Sequence, residues 1–427
     1  MANQIQWTNA LSTLPSLEAA VKEVTTRVKQ SMSVPPELGI VFISSAYASE
    51  YPRLVPLLRE ELPLSVLIGC GGGGIIGMDS QGEAVEVEGN CALSLSVAHL
   101  PQVEIKPFLI AADNLPDLDS SPQNWIELIG VPPQNQPQFI LLADPFSSSI
   151  NDLLEGLDFA YPGSVKVGGL ASAGTVGVPN GLFYYSAHSS EDFFQQQGTV
   201  GIALSGEIIV ETIVAQGCRP IGPLYQITKG ERNVILEMAD TNNSQMATEC
   251  PPHPPLELLR DLIQNLTESD RQLAQNSLFV GITRDEFKLN LGQRDFLIRN
   301  LVGVDPRVGA VAIGDRVRPG QRIQFHLRDS QTSAEDLEKL LQDYQKESGY
   351  NSFGAGVLMF ACLGRGERLY KKPNFDSSLL RSYLTDAQLG GFFCSGEIGP
   401  VGGSTFLHGY TSAFGIFRQP GDREVGR

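Results

Sequence analysis

Three stretches of this chain read alike: IGCGGGGIIG from Ile68, VGGLASAGTVG from Val167 and LGGFFCSGEIG from Leu389. Each is an apolar strand that runs into glycines. Glycine favours neither helix nor strand, so a glycine-dense strand end marks positive φ or backbone lying close to something else, either another strand or a ligand. The three copies are unevenly spaced, which implies related α/β layers and not a solenoid.

The segments around the copies support that reading. Leu17, Val21, Val24 and Val28 fall at helical spacing, which predicts a helix over Leu17 to Lys29 with Ser16 as its N-cap. GIVFISSAY, a helix over Tyr51 to Glu61 and LSVLIGCGGGG form a β-α-β unit, and further strands follow near Val85, Leu93 to Val97 and Val103 to Leu109. FILLADPFSS, a helix over Ser147 to Leu157 and VKVGGLASAG repeat that grammar. GAGVLMFACLGRG, a helix over Phe375 to Leu384 and LGGFFCSGEIG repeat it again. Between the second and third copies SLFVGIT, FLIRNLVGV, GAVAIGD and RIQFHLRD read as strands, followed by a helix over Ala334 to Glu347 capped by Ser333. ECPPHPPLE, Glu249 to Glu257, reads as a surface loop, since proline continues neither a helix nor an interior strand. The expected class is α/β, with two modules of mixed sheets. The expected divisions are a lead-in over 1–38, an N-terminal module over 39–221, a C-terminal module over 222–417 and a flexible tail over 418–427.

Charge and patterning exclude several functions. A net charge of −17, with no basic cluster to offset it, disfavours nucleic acid and anionic membrane surfaces. No apolar run reaches the length of a bilayer span, and the N-terminus lacks a secretory pattern, so a cytoplasmic protein is expected. The six cysteines are scattered, without a Cys-x-x-Cys pair, and read as reduced thiols. The glycine runs match no phosphate-binding G-x-x-x-x-G-K-[ST] pattern.

Chemistry concentrates in the third copy. Cys394 and His408 can be read as a thiolate-imidazole pair or as an inert buried thiol and a structural histidine. Glu397, the acid of its stretch, needs a partner if buried. Arg365, just past an apolar strand and between two glycines, can fork onto the carboxylate of a ligand or onto Glu397. Asp144, at the matching strand end of the second copy, can hold a ligand amine or cap the helix after it. Cys250 precedes Pro251, a pairing that can give a thiolate to haem, although no haem-attachment motif accompanies it.

GCRPIGPLYQIT, FLIRNLVGVD, RIQFHLRD, FACLGRG and GFFCSGEIGPVGGSTFLHG, in that order, resemble the FIST family, the F-box and intracellular signal transduction proteins, and DPFS and GGLASAG resemble its N-terminal module. The resemblance runs from about Gly39 to Phe417. It implies an intracellular sensory module that binds small ligands such as amino acids. The segment before Gly39 is too short for an F-box and no output domain follows Phe417, so the expected partner is a separate signalling protein. Gly396, Glu397, Gly399, Pro400 and His408 match the strongest C-terminal signature. With Arg365, Cys394 and Ser395, and with Asp144 and Gly169 from the second copy, they are the expected ligand-binding residues. No catalytic residue, metal or cofactor is expected. The alternatives are a haem-binding nitric-oxide sensor and, third, a hydrolase or transferase using Cys394 or Glu397.

Overall fold

The computed structural model describes residues 4–111, 114–147, 149–174, 180–188, 194–241, 251–286, 288, 290–292, 295–348 and 356–420. Two compact units emerge, one made of residues 1–215 with 338–427 and the other of 216–337.

The larger unit is one pattern used three times. The first pass is β1 (Gln6–Ser12), α1 (Leu17–Ser31), β2 (Leu38–Ser44), α2 (Tyr51–Glu61), β3 (Val66–Gly72), β4 (Gly74–Met78), β5 (Ala84–Glu88) and β6 (Leu93–His99). The second is β7 (Val103–Ile110), α3 (Pro122–Ile129), β8 (Gln138–Ala143), α4 (Ile150–Ala160), β9 (Lys166–Leu170), β10 (Leu182–Ser186), β11 (Phe194–Gln195) and β12 (Thr199–Gly206). The third opens with β13 (Ile209–Ala215) and is then interrupted by the smaller unit. That unit comprises β14 (Cys218–Glu231), β15 (Val234–Asp240), α5 (Pro255–Gln264), α6 (Glu268–Ala274), β16 (Leu278–Thr283), β17 (Phe296–Asp305), β18 (Ala310–Ile313) and β19 (Arg322–Arg328). The third pass resumes with α7 (Ser330–Ser348), β20 (Gly356–Cys362), α8 (Gly366–Tyr370), α9 (Phe375–Tyr383), β21 (Gln388–Cys394), β22 (Glu397–Val401), β23 (Ser404–His408) and β24 (Ser412–Arg418).

The sheets confirm the equivalence. Their strand orders are β1-β6-β2-β3-β10-β11, β7-β12-β8-β9-β22-β23 and β13-β24-β20-β21-β4-β5. Each pass keeps four strands in its own sheet and gives its glycine-led hairpin to another pass: the first to the third, the second to the first, the third to the second. The parallel pairs β2–β3, β8–β9 and β20–β21 enclose helical crossovers, as parallel neighbours require. One apolar core, including Phe42, Cys70, Ile75, Leu142, Val167, Leu182, Phe360, Phe392 and Cys394, joins all three sheets. α1 and α2 cover the outer face of the first sheet through Val24, Val28, Leu54 and Leu58, and α3 and α4 cover the second through Trp125, Leu153 and Leu157.

The recurrent glycines now have a cause. In register, Gly69 lies opposite Val41, Gly168 opposite Leu141 and Gly391 opposite Met359. A Cβ at these positions would lie 2.2, 1.8 and 2.0 Å from the facing carbonyl oxygens. Only a residue without a side chain admits that approach.

The smaller unit is a closed barrel, β14-β15-β18-β17-β16-β19, with its own core of Ile227, Ile235, Val280, Ile323 and Phe325 against Leu256 and Leu259 of α5. Its chain ends meet: the Gly217 N–H donates to Asp336 Oδ2 at 2.9 Å and the Ser333 hydroxyl to the Gly217 carbonyl at 3.1 Å.

Several local expectations shift. Ser16 caps α1, accepting from the Ala19 N–H at 3.3 Å. Ser333 does not cap α7. The helix begins at Ser330, and Asp329 accepts from the Thr332 N–H at 2.7 Å while Ser333 is buried. The proline-rich segment is exposed over Pro251 to His253, but Pro255 opens α5, and His253 exchanges two backbone hydrogen bonds with Met238. Cys250 lies outside the described residues. The lead-in contains β1, which pairs with β6 along its full length. β24 reaches Arg418, whose guanidinium is buried on Glu211 at 2.8 and 2.7 Å. Among the described residues no helix is long and apolar enough to cross a membrane.

Candidate functional site

The strand ends of the three passes converge. The Ser172 N–H donates to the Gly71 carbonyl at 3.0 Å, and the Gly73 N–H to the Ser172 hydroxyl at 2.8 Å. The Ser172 hydroxyl reaches the Phe393 carbonyl, and the Ser395 N–H donates to the Leu170 carbonyl at 3.1 Å. The expected residues of the third copy sit at this junction, nearly all buried. Glu397 faces Gly169 on β9 and His408 on β23. A Cβ at Gly169 would lie 3.0 Å from both Cβ and Sγ of Cys394, so the glycine makes space for that side chain.

Glu397 is the departure from symmetry. The equivalent residue is Ile75 in the first pass, facing Phe392, and Leu182 in the second, facing Cys70. All three are fully buried, but the third is a carboxylate. Its Oε2 accepts from the Thr411 N–H at 3.0 Å, and Cys394 Sγ lies 3.8 Å from Oε1. Cys394 also donates to the Ala361 carbonyl at 3.2 Å. Burial, with Glu397 beside it, pushes the thiol well above its ordinary pKa. A neutral thiol closed off from solvent is not prepared as a nucleophile. His408 Nε2 lies 3.0 Å from the Gly399 carbonyl. Ser395 is exposed, Gly396 and Gly399 are buried, and Pro400 is half-buried.

Arg365 is fully buried, and its guanidinium grips Asp376 of α9: Nε lies 2.7 Å from Oδ2 and Nη2 3.1 Å from Oδ1. Nη2 also donates to the Tyr370 hydroxyl at 2.5 Å, and the Ser412 hydroxyl donates to Asp376 Oδ2 at 2.8 Å. Desolvation raises the Tyr370 pKa, with Asp376 adding to the rise and Arg365 opposing it. Asp144 is buried and accepts from the Phe146 N–H at 3.2 Å, so it shapes the turn before α4 without capping that helix.

The residue pattern predicts a strand near Val85, but not what the two acids of that edge strand, β5, hold. Glu86 Oε1 accepts from the Ser377 N–H at 2.8 Å, and Asn374 Oδ1 accepts from the Glu86 N–H at 2.7 Å. Glu88 Oε1 accepts from the Glu367 N–H at 2.9 Å. Two carboxylates of one strand therefore satisfy backbone donors in the first turns of α9 and α8, where helices leave N–H groups without internal partners. The alternation of AVEVE places both acids on one side of the strand; their helical partners, 279 and 291 residues away, left no local trace. Glu86 is 8% exposed, and burial, with Asp376 beside it, raises its pKa to about 7. Both acids line an open cleft of about 460 Å³ with Leu11, Glu23, Asp79, Glu367 and Asn374.

The family model of the FIST N domain matches residues 37–241, and that of the FIST C domain matches residues 255–400. This chain belongs to the FIST family. An uncharacterized protein of Mycobacterium tuberculosis strain H37Rv is 30% identical over 408 residues, covering 95% of this FIST protein and 98% of the relative. An uncharacterized protein of Mycobacterium bovis is 34% identical over 278 residues, covering 65% of this chain and 67% of the relative. The two family matches meet on either side of 242–254, within the 216–337 unit, so neither follows the limits of the compact units. Among the described residues no group of three or more His, Cys, Asp or Glu side chains is placed to hold a metal ion.

Proposed function

We propose that this FIST protein is an intracellular sensor of a small metabolite, of amino-acid size, that signals through a separate protein. The observation that carries the reading is the double use of Glu86 and Glu88: both line the cleft and both hold helix N-termini. A ligand that engages either carboxylate competes with, or reinforces, what fixes α8 and α9. Ligand occupancy is then linked to the position of those helices, which is a population shift that a partner can read. Arg365 belongs to this reading through Asp376, as the charge that anchors α9 from behind. Glu397, Cys394 and His408 form the buried junction behind it, where the third pass departs from the other two.

The test is ligand-dependent hydrogen exchange on the full-length protein, combined with mass spectrometry of small molecules that co-purify with it. The expected result is a compound that raises the melting temperature, as ligands of the folded state must, and changes exchange across 366–383. A ligand that raises the melting temperature while leaving that segment unchanged would sink the proposed route of signalling.

A further inference from the structure

The parallel pair β20–β21 brings two cysteines together. Cys362 and Cys394 are the last residues of their strands and stand opposite each other in register. In-register neighbours on adjacent strands sit about 4.8 Å apart, inside the span of about 4.4–6.8 Å between α-carbons that a disulfide bridges. Their side chains share a face: Leu358 and Phe360, which alternate with Cys362 along β20, enter the same core as Phe392 and Cys394 of β21. Both carry thiols.

The pair is asymmetric. Cys362 is partly exposed, and its sulfur accepts from the Gly364 N–H at 3.5 Å, a contact that favours a thiolate. Cys394 is fully buried and closed to reagents, with its thiol in reach of the Ala361 carbonyl at 3.2 Å and of Glu397 Oε1 at 3.8 Å. An accessible thiol that meets an oxidant, a buried thiol across from it and a carboxylate beside the second are the parts of a dithiol that closes on oxidation. They also give Glu397 a task at the position where the other passes have Ile75 and Leu182.

We propose that Cys362 and Cys394 form a reversible redox site whose oxidant is a small hydroperoxide. With hydrogen peroxide, the Cys362 thiolate attacks one oxygen: an S–O bond forms, the O–O bond breaks, and the departing hydroxide recovers the proton that the thiol gave up and leaves as water. Cys394 then gives its proton to Glu397 and attacks the Cys362 sulfur. The S–S bond forms as the S–O bond breaks, and the second hydroxide leaves as water with the proton from Glu397. Two thiols are oxidised to a disulfide, and one peroxide is reduced to two waters. The bridge ties β20 to β21 just before Arg365 and α8. It is an input separate from the metabolite reading, and neither depends on the other.

The experiment treats the reduced full-length protein with hydrogen peroxide, alkylates the remaining thiols with N-ethylmaleimide in denaturant, and maps the unreduced digest by mass spectrometry. The expected product joins the Cys362 and Cys394 peptides, two hydrogens lighter than their sum, and dithiothreitol restores both thiols. Cys394→Ser should halt at a sulfenic acid on Cys362 that dimedone captures, and Cys362→Ser should leave Cys394 a thiol after the same exposure. Glu397→Gln should slow closure of the bridge about tenfold or more while oxidation of Cys362 keeps its rate, a split that a merely structural role would not give. If Glu397→Gln shows no cooperative melt, the two cysteine variants decide. Wild-type protein in which Cys362 resists oxidation, in which it reaches sulfinic acid without the bridge, or in which peroxide joins either cysteine to a different one overturns the assignment. So does a bridge that forms only in denaturant. An unchanged closure rate in folded Glu397→Gln overturns the step given to that carboxylate.

Discussion

Glu86, Cys394 and His326 show how burial sets chemistry at the scale of single residues. The folded Glu86 pKa is raised from 4.5 to about 7, so the folded state binds more protons than the unfolded state between those values. Its contribution is fully present below pH 4.5 and is lost as pH rises through 7, a change on the order of 1–3 kcal/mol. Removing the titrating group with Glu86→Gln should flatten the fall in melting temperature between pH 5 and 8, and identical profiles for the two proteins would disprove the shift. His326 moves the opposite way. Burial in the barrel lowers its pKa to about 4, and Gly281, where a Cβ would lie 2.4 Å from the ring, makes room for it. Here stability is complete above about pH 6.5 and is lost as pH falls toward 4, by about 3 kcal/mol. His326→Leu should remove that acid limb from the denaturation midpoint measured against pH. For Cys394, the raised pKa predicts no labelling by iodoacetamide at pH 7.5 in the folded protein and full labelling in denaturant. Native labelling there would reopen the thiol chemistry.

At the scale of elements, the repeated glycines and the buried ion pair make separable demands. Gly168→Ala drives a Cβ into the Leu141 carbonyl and should cost at least about 3 kcal/mol, since backbone cannot yield as a side chain does. Gly303→Ala, where nothing lies within 4 Å, is the control and should stay within about 0.5 kcal/mol. Chemical denaturation of both variants gives the comparison, and a Gly168 variant as stable as the control would refute the close-approach argument. Asp376→Asn strands the Arg365 guanidinium and should cost about 3–5 kcal/mol. The same loss should appear as faster amide exchange in α9, because the pair ties that helix to the end of β20.

Across the whole molecule, the barrel behaves as an insertion into the third pass. Its two chain ends share hydrogen bonds between Gly217 and both Asp336 and Ser333, and its core is its own. A fragment spanning 216–337 should therefore fold alone, with a cooperative melt and dispersed amide resonances. A collapsed spectrum without a cooperative transition would contradict that independence. The three-pass unit resists such division, because every pass gives its hairpin to a different sheet and no pass completes a sheet by itself.

The sequence by itself determined the elements whose signals are local. The 3.6-residue spacing over Leu17 to Val28, the Ser16 cap, the strand-helix-strand grammar and the likeness of the three glycine endings were all legible before any fold was known. The acid that sets the third ending apart, Glu397, is visible there too, where the other passes have Ile75 and Leu182. β1 was not legible, since its worth lies in pairing with β6 about ninety residues away. Nor were the partners. The carboxylate that Arg365 grips is Asp376 of α9, which no motif had singled out. Glu86 and Glu88 lie on a strand that the alternation near Val85 predicts, and only the tertiary fold places helix N-termini on them. Hydrophobic period and turn chemistry act over a few residues, so they can be read along the chain. A carboxylate's role depends on which donor reaches it, and here that donor arrives from nearly three hundred residues away.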